Sequence, residues 1–212
     1  MPLPPGSVSR LYRKLSKSLP DARSELHYKN NFQLLISVIL SAQSTDKTVN
    51  RVTPELFTLC PNPAAFLQCG EARLRRIIKP IGLAPAKAKN IINTCRMLLD
   101  RHRGKVPDNR EELEQLPGVG RKTASVVLNE GFGQATIAVD THVFRVANRT
   151  GLAPGKTVHE TETRLLQVTP EKWQKQAHRY LILHGRYVCK AKNYRCAECA
   201  ILKECEHPDK IL

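Results

Sequence analysis

The pattern of apolar and polar residues predicts a chain built from amphipathic helices. Residues 32–40 are apolar nearly all round, which indicates a central buried helix, and Asn31 is predicted to cap it. Strand-like alternation is confined to residues 135–144, and that stretch is short. No linker or low-complexity segment divides the chain. We therefore predict an all-α fold of about ten helices.

Capping residues predict where further helices begin. Ser9 is expected to cap a basic helix over residues 10–19, which Pro20 closes. Asp108 followed by Glu111 has the spacing of a capping box, in which two side chains satisfy two free N–H groups at a helix start. A short helix is therefore expected to lead into the stretch that follows.

That stretch, residues 116–124, reads Leu-Pro-Gly-Val-Gly-Arg-Lys-Thr-Ala and predicts two short helices joined by a glycine turn. Pro117 and Gly118 end the first helix, because proline has no N–H to donate and glycine tolerates positive φ. Gly120 opens the second helix, at whose N-terminus bare N–H groups bind an anion well. The next two residues are both basic, Arg121 and Lys122. We interpret this stretch as a phosphate-binding hairpin that carries a lysine.

Local chemistry leaves two interpretations of Lys122. The helix macrodipole disfavours a cation in the first turn, which favours a free amine that can form a Schiff base with a sugar carbon. Asp140, eighteen positions later, can supply a carboxylate that takes a proton or stabilises a developing cation. Alternatively, Lys122 only binds phosphate, and Asp140 caps the helix that starts at Thr141.

The charge balance favours a polyanionic partner. The 212 residues include 34 Lys and Arg against 19 Asp and Glu, a formal net charge of +15. Nucleic acid is the usual partner of such an excess, although a basic protein of the ribosomal type has the same composition. Aromatic residues make up only 5%, which argues against a stacking platform for single strands. Neither a secretory signal nor a membrane span is predicted, because the apolar run 34–40 is too short.

Four of the seven cysteines lie close together near the end of the chain. Cys189, Cys196, Cys199 and Cys205 have the spacing C-x6-C-x2-C-x5-C. Four thiols this close share a metal or are oxidised, and chemistry alone leaves a zinc ion and a 4Fe–4S cluster both open. The odd cysteine count fits a reducing compartment, so we expect an intracellular protein without disulfides. Cys60, Cys69 and Cys95 are interpreted as packed or idle thiols.

Residues 116–124, together with Val139-Asp140-Thr141-His142 and the cysteine-rich tail, resemble the helix-hairpin-helix DNA glycosylase superfamily, most of all its endonuclease III branch. The resemblance runs roughly from residue 31 to residue 206. It implies a helical-barrel domain over residues 25–133 and a discontinuous domain over residues 1–24 and 134–212. A DNA cleft is expected between these two lobes, with Lys122 and Asp140 facing each other across it.

The cysteine spacing matches the cluster motif of the endonuclease III family, which implies a 4Fe–4S cluster held by Cys189, Cys196, Cys199 and Cys205. Its role in the family is structural and in DNA contact rather than in the chemistry. The first loop of the motif carries three basic residues that are expected to contact DNA, Lys190, Lys192 and Arg195.

The resemblance implies a monomeric, nucleoid-associated base-excision repair enzyme acting on double-stranded DNA that contains oxidised pyrimidines or abasic sites. Lys122 is expected to attack C1′ of an everted nucleotide, with Asp140 stabilising positive charge and handling protons. The Schiff base then acidifies the C2′ proton, so that β-elimination breaks the strand. The hairpin residues are expected to hold a phosphate: Gly118, Val119, Gly120 and Arg121.

Two further residues align with family residues that fill the hole left by the flipped base, Gln43 and Leu83. Leu83 belongs to residues 81–88, which repeat the hairpin in weakened form, with Ala84 in place of the second glycine. Without the resemblance, this segment is a plain glycine turn before a helix over residues 85–102. Leu83 would then pack in the core and Gln43 would end a helix.

Two rival functions follow from the same motifs. The adenine-mismatch glycosylase branch shares the hairpin, the aspartate and the cluster, but it lacks the hairpin lysine and has a catalytic glutamate where this chain has Ser37. A non-catalytic DNA-binding protein is the other rival, since helix-hairpin-helix elements also occur in proteins that only hold DNA. Lys122 and Ser37 together favour the bifunctional glycosylase and lyase.

Overall fold

The computed structural model describes residues 3–22 and 24–211, and in this part of the chain it contains ten α-helices, one 3-10 helix and no strand. The predicted all-α fold is confirmed. The helices are α1 (Pro5–Ser18), α2 (Asn31–Ser41), α3 (Asp46–Leu59), α4 (Pro63–Ile77), α5 (Ala84–His102), α6 (Arg110–Gln115), α7 (Arg121–Phe132), α8 (Thr141–Thr150), α9 (Val158–Val168) and α10 (Glu171–Tyr187), with the 3-10 turn at Leu202–Glu204. Among these helices, none combines the length and the apolar character that a transmembrane helix requires.

The chain divides into two compact units, each with its own hydrophobic core. One unit is Ser24–Gly133, and the other combines Met1–Arg23 with Gln134–Leu212. Residues 1–2, 23 and 212, which belong to the predicted discontinuous domain, lie outside the described residues.

The unit Ser24–Gly133 is built around α2. Every residue of this helix from Phe32 to Leu40 is buried, as its apolar character all round predicts. Helices α3, α5 and α7 pack against it, and α4 packs against α5. A non-helical Gly70, with φ of 73°, kinks α4 in its middle. Helix α2 therefore serves as the hydrophobic axis on which α5 and α7, the two helices that carry the candidate site, are held.

The second unit packs α1 and α8 against α10, and α9 against α8. Helix α1 buries one stripe at helical spacing, formed by Val8, Leu11, Tyr12 and Leu15. The hydroxyls of Tyr12 and Thr169 are 2.8 Å apart, so the buried phenol keeps a hydrogen-bond partner. This core supports the segment that leads into Asp140 and the segment that carries the four clustered cysteines.

Three predicted helix starts were wrong. Helix α1 begins at Pro5 rather than after Ser9, because proline has the φ angle of a first helical residue and lacks only an N–H that would be unpaired there. Asn30, not Asn31, caps α2, accepting a 2.9 Å hydrogen bond from the N–H of Gln33.

The capping box before α6 is likewise shifted by one residue. The Oδ1 atom of Asn109 accepts a 2.9 Å bond from the N–H of Glu112, whose carboxylate accepts in turn from the side-chain Nδ2 of Asn109 and not from its backbone N–H. The predicted pair Asp108 and Glu111 has the same spacing, so the sequence pattern alone does not distinguish the two. The strand-like stretch 135–144 forms no strand: its first part is extended, and Thr141 begins α8.

Candidate nucleic-acid interface and cysteine cavity

The predicted hairpin joins α6 to α7 through the turn at residues 116–120. Gly118 has φ of 81°, and a Cβ there would lie 3.1 Å from two side-chain atoms of Asn90. Gly120 is the N-cap of α7 in extended conformation, and no side chain caps that helix start. A Cβ on Gly120 would meet nothing within 4 Å, so the helix N-terminus faces open space. The turn therefore presents backbone N–H groups to the surface, as an anion site requires.

Helix α5 fixes this turn in place. The hydroxyl of Thr94, which is fully buried, donates a 2.8 Å hydrogen bond to the carbonyl of Pro117. Asn90, one turn earlier on the same helix, packs against Gly118. Val119 is itself buried, and its N–H bonds to the carbonyl of Leu116. Val119 therefore supports the turn from the core, and neither its side chain nor its bonded N–H is available to a phosphate.

Lys122 lies in the first turn of α7 and its side chain is exposed. Arg121 is also exposed, and its carbonyl accepts a 3.0 Å bond from the buried hydroxyl of Ser125. Two turns of the helix are anchored below them by the buried Ala124, Val127 and Leu128. The fold therefore displays both basic residues beside the open N-terminus of the helix, where the sequence predicted them.

Asp140 is the N-cap of α8. Its Oδ1 atom accepts hydrogen bonds from the N–H of His142 at 2.9 Å and of Val143 at 2.8 Å. These are two of the donors that a helix start leaves without intrahelical partners. The capping role considered from the sequence is therefore real, and it engages one of the two carboxylate oxygens. Asp140 and Lys122 belong to different units of the chain.

His178, which sequence reasoning missed, holds the extended segment before Asp140. Its Nδ1 atom lies 2.8 Å from the carbonyl oxygen of Ala138. Since a carbonyl oxygen only accepts, Nδ1 carries the proton in this contact. Both residues are buried, and the flanking Ile137 and Val139 are buried as well. The segment is thus anchored up to the residue that precedes the aspartate.

Gln43 and Leu83 occupy two adjacent turns of the unit Ser24–Gly133. Both have left-handed backbone conformations, with φ of 53° and 61°, which are uncommon for residues other than glycine. The N–H of Gly82 donates to the hydroxyl of Ser44 at 3.2 Å, which joins the two turns. Leu83 is 54% exposed, so the alternative in which it packs in the core does not hold.

Sequence reasoning also missed Lys87, which is almost completely buried in the first part of α5. Its ammonium donates to the carbonyls of Leu40 and Ala42, at the end of α2. Burial lowers the pKa of Lys87 below its usual value. One signal was available: Lys87 shares the helical spacing of Ala84, Ala88 and Ile91, all of which are buried.

Unneutralised positive charge lies next to Leu83. Among the described residues, no ion pair involves Arg75, Arg76 or Lys79, and all three are exposed. An open groove is lined by these three residues together with Ile81, Gly82, Leu83, Ala84 and Pro85. Three exposed basic residues therefore lie beside an exposed apolar side chain.

The four clustered cysteines line a single cavity. The first follows α10, and the last follows the 3-10 turn. Within the described part of the chain, no three His, Cys, Asp or Glu side chains converge as the ligands of one ion do. The lining residues are Cys189, Cys196, Cys199 and Cys205, together with Arg149, Thr150, His184, Val188, Tyr194, Arg195, Leu202 and His207.

Basic and backbone donors surround these thiols. The Arg149 guanidinium is 3.8 Å from the sulfur of Cys189, and the N–H of His207 is 3.5 Å from that of Cys205. Burial, with a smaller contribution from the neighbouring thiols, raises the pKa of Cys199 to about 11. Four thiolates in this cavity therefore need a cationic centre to balance their charge, which is the chemistry of a metal-binding donor set.

The loop between the first two of these cysteines carries the three predicted DNA contacts. Lys192 and Arg195 are exposed, whereas Lys190 is half-buried and its carbonyl accepts a bond from Arg149. Arg195 also pairs with Glu198 at 3.2 Å, an exposed ion pair of small energetic value. Lys192 is thus the most available of the three charges.

Comparisons with known proteins agree with this arrangement. Residues 36–171 match the family described as HhH-GPD superfamily base excision DNA repair protein. The chain is 52% identical over 198 residues to endonuclease III of Haemophilus influenzae and 51% identical over 198 residues to that of Escherichia coli K12. In both cases the alignment covers 93% of this chain and 94% of the relative.

The fold is similar to that of a solved endonuclease III trapped as a covalent intermediate with DNA, in an estranged-adenine complex. The TM-score is 0.91 at 42% identity, covering 96% of each chain. The resemblance inferred from the motifs is thereby confirmed. With the matched region spanning more than half of its length, the chain belongs to the HhH-GPD superfamily of base excision DNA repair proteins and, within it, to the endonuclease III family.

Proposed function

We propose that this protein removes oxidised pyrimidines from double-stranded DNA and then cleaves the abasic site through a Schiff base on Lys122. Its family consists of bifunctional DNA glycosylases and abasic-site lyases. The observation that carries the proposal is an exposed lysine in the first turn of a helix whose N-terminus no side chain caps. A phosphate bound at that N-terminus brings the sugar of the same strand close to the amine.

Recognition begins with eversion of the damaged nucleotide, because C1′ is inaccessible inside the duplex. Gly118 and Gly120 hold a phosphate through their N–H groups, Arg121 adds a charge, and Val119 anchors the turn through its buried side chain and its bond to Leu116. Gln43 and Leu83 fill the space that the everted nucleotide leaves. The exposure of Leu83 and its strained backbone support this role, since an apolar side chain is not displayed in this way for packing. Lys190, Lys192 and Arg195 contact the DNA backbone.

In the chemical step, the Lys122 amine attacks C1′ and the bond from C1′ to the base breaks, with the electron pair leaving on the base. The carboxylate of Asp140 stabilises the positive charge that develops on the sugar and accepts a proton. The C1′–O4′ bond then breaks, with a proton transferred to O4′, which gives the iminium. Loss of the C2′ proton from this iminium breaks the C3′–O bond and expels the 3′ phosphate. The oxygen of Asp140 that caps α8 holds the carboxylate in one orientation for this work.

The four clustered cysteines are proposed to hold a 4Fe–4S cluster. A zinc ion needs all four sulfurs within about 2.3 Å of one point, whereas a cluster of several irons needs them spread around a larger volume. The four thiols line one cavity, as either arrangement requires, and their C-x6-C-x2-C-x5-C spacing supports the cluster. The cluster supplies structural cross-linking of the segment that carries Lys192. The proposal includes a monomeric enzyme that works on the nucleoid inside the cell.

Borohydride trapping tests the proposal, because it reduces an imine to a stable amine and joins the enzyme to its DNA. Wild-type protein mixed with a duplex containing one thymine glycol should form a covalent complex. Lys122→Gln should form none and should still bind the duplex, since the backbone N–H groups remain. Lys105→Gln, which removes an exposed lysine charge elsewhere, is the matched control and should trap at the wild-type rate.

The outcomes separate the candidate functions. Trapping by Lys122→Gln at the wild-type rate would show that another amine is the nucleophile. A wild-type protein that binds damaged duplex without trapping or cleavage would be the non-catalytic DNA-binding protein. Base release without any trapped complex would identify a monofunctional glycosylase of the adenine-mismatch type.

A further inference from the structure

Lys87 is buried in a position where a charged side chain is costly. It is 4% exposed, and its Nζ atom lies 2.8 Å from the carbonyl oxygen of Leu40 and 2.5 Å from that of Ala42. Both carbonyls belong to the end of α2, where the last turn leaves carbonyl groups without intrahelical donors. The ammonium therefore replaces the missing donors and complements the negative end of the helix.

The same ammonium reaches the turn that carries Gln43. The hydroxyl of Ser44 lies 3.4 Å from Nζ of Lys87 and accepts the N–H of Gly82 at 3.2 Å. A Cβ on Gly82 would lie 3.1 Å from the carbonyl oxygen of Gln43, so the two turns are in close contact. The N–H of Lys87 also donates to the carbonyl of Leu83 at 3.0 Å. One residue thus contacts both turns, through its side chain and through its backbone.

Both turns need such support. Gln43 and Leu83 are non-glycine residues in the left-handed region, where the Cβ atom clashes with the backbone. The side chain of Leu83 is mostly exposed and so receives little packing energy in return. Strained residues of this kind persist only where the surrounding structure fixes them, and they cluster at functional sites.

We propose that Lys87 is a positioning residue, which holds the turns of Gln43 and Leu83 at the spacing required for insertion into duplex DNA. This inference rests on the proposed function, because it assumes that Gln43 and Leu83 fill the space of the everted nucleotide. Lys87 contacts no DNA in this role. It acts through the two residues that do.

The test compares the same lesion in two settings. Single-turnover cleavage is measured, with enzyme in excess, on thymine glycol in a duplex and in the corresponding single strand. Filling the vacated space matters in the duplex, where eversion costs unpairing and unstacking, and matters little where the base is already unpaired. A residue needed only for folding would change both rates by the same factor, whereas a positioning residue lowers the ratio of duplex to single-strand rates.

Lys87→Met keeps the length of the side chain and removes its three donors. We expect a loss of about a hundredfold in the duplex rate, the size of effect that a misplacement of about 1 Å produces, with the single-strand rate unchanged. Lys89→Met removes an exposed lysine two positions later on α5 and is the matched control, with both rates kept. Equal losses of Lys87→Met on both substrates, or no loss, would overturn the proposal.

Two milder variants decide the question even if Lys87→Met does not fold. Ser44→Ala removes the link to Gly82 at a partly exposed position, and Gly82→Ala pushes the turns apart at the 3.1 Å contact. Each should lower the ratio of duplex to single-strand rates, by less than Lys87→Met. An unchanged ratio in both variants would overturn the proposal.

Leu83→Ala and Gln43→Ala separate this inference from the proposed function. Both should lower the ratio of duplex to single-strand rates. When Leu83→Ala is combined with Ser44→Ala, the decrease in the logarithm of this ratio should be smaller than the sum of the two single decreases, because the residues act as one unit. If Leu83→Ala and Gln43→Ala leave the ratio unchanged, the insertion role itself is wrong. If they lower it and the variants at Lys87, Ser44 and Gly82 do not, the insertion role stands and the positioning role of Lys87 is overturned.

Discussion

Asp140 is proposed to have two roles, and substitution can separate them because only one depends on charge. As N-cap of α8, its Oδ1 atom accepts two backbone N–H groups, at 2.9 and 2.8 Å. An asparagine oxygen caps a helix about as well as an aspartate oxygen, and the lost charge at the helix N-terminus costs only about 0.3–1 kcal/mol. Asp140→Asn should therefore lower the free energy of unfolding by no more than about 1 kcal/mol. Asp140→Ala loses the cap and should cost about 0.5–2 kcal/mol.

The rate of base release in these two variants should depend on the lost charge of the Asp140 side chain and not on the stability of the fold. Both variants remove the carboxylate that stabilises the developing cation and accepts a proton, which should slow base release by about 10²–10⁴-fold. Cleavage of a pre-formed abasic site should suffer less, because base departure is already complete there. Asp140→Asn thus combines near-normal stability with a large loss of base release.

Thr157→Ala is the matched control for cap loss in the same unit. The Thr157 hydroxyl accepts the N–H of Glu160 at 3.1 Å at the start of α9, so this variant should lose about 1 kcal/mol. It should release the base at the wild-type rate. Urea unfolding followed by circular dichroism gives the stabilities, and single-turnover kinetics on a thymine glycol duplex give the rates. Wild-type base release by Asp140→Asn would refute the catalytic role and leave Asp140 as a helix cap alone.

Three further predictions concern the cluster, the DNA surface and the support of the hairpin. The purified protein should be yellow-brown with broad visible absorbance and iron, both lost in Cys199→Ser, and metal analysis that finds one zinc and no iron would contradict the cluster. The logarithm of duplex affinity should fall with the logarithm of salt concentration, with a slope of about −0.9 per phosphate contact, and a salt-insensitive affinity would count against this surface. Gly120→Asp should weaken binding at every sequence, because its side chain places a negative charge in the open space at the proposed anion site. Thr94→Val leaves the Pro117 carbonyl without its donor, so it should lower the free energy of unfolding by about 1–3 kcal/mol and weaken duplex binding. If urea unfolding and duplex titration both give wild-type values, α5 does not support the hairpin.

The features that were predictable from sequence are those encoded within a few residues. The hairpin turn follows from Pro117, which restricts the backbone at its own position, and from Gly118, which tolerates positive φ. The burial of α2 follows from its apolar residues, which leave no polar face for solvent. Helix starts were less certain where neighbouring residues cap equally well. Asn109 caps α6 in place of Asp108. Each of these residues has a glutamate three positions later, so the sequence spacing does not distinguish the two pairs.

Features that depend on distant partners were not predictable. Lys87 was missed because lysine is ordinarily a surface residue, and its acceptors at Leu40 and Ala42 lie more than forty positions earlier in the chain. The contact between His178 and Ala138 spans forty positions and has no local signature. In both cases a polar side chain satisfies backbone groups that only the tertiary fold brings near it. These contacts become visible once the location of the unpaired backbone groups is known.

The contacts of α5 suggest why these distant partners matter for function. Leu83 lies at its N-terminus, whereas Asn90 and Thr94 support the hairpin seven and eleven residues later. At about 1.5 Å per residue, the helix places Leu83 roughly 10 Å from Asn90 and roughly 16 Å from Thr94 along its axis, which corresponds to about three to five nucleotides at about 3.4 Å each along one strand. A rigid helix therefore sets how far Leu83, which is proposed to enter the duplex, lies from the turn that is proposed to hold a phosphate. Lys87 sits between them and ties the first end of that helix to α2, so on this proposal the spacing is fixed by the buried core and does not depend on loop flexibility.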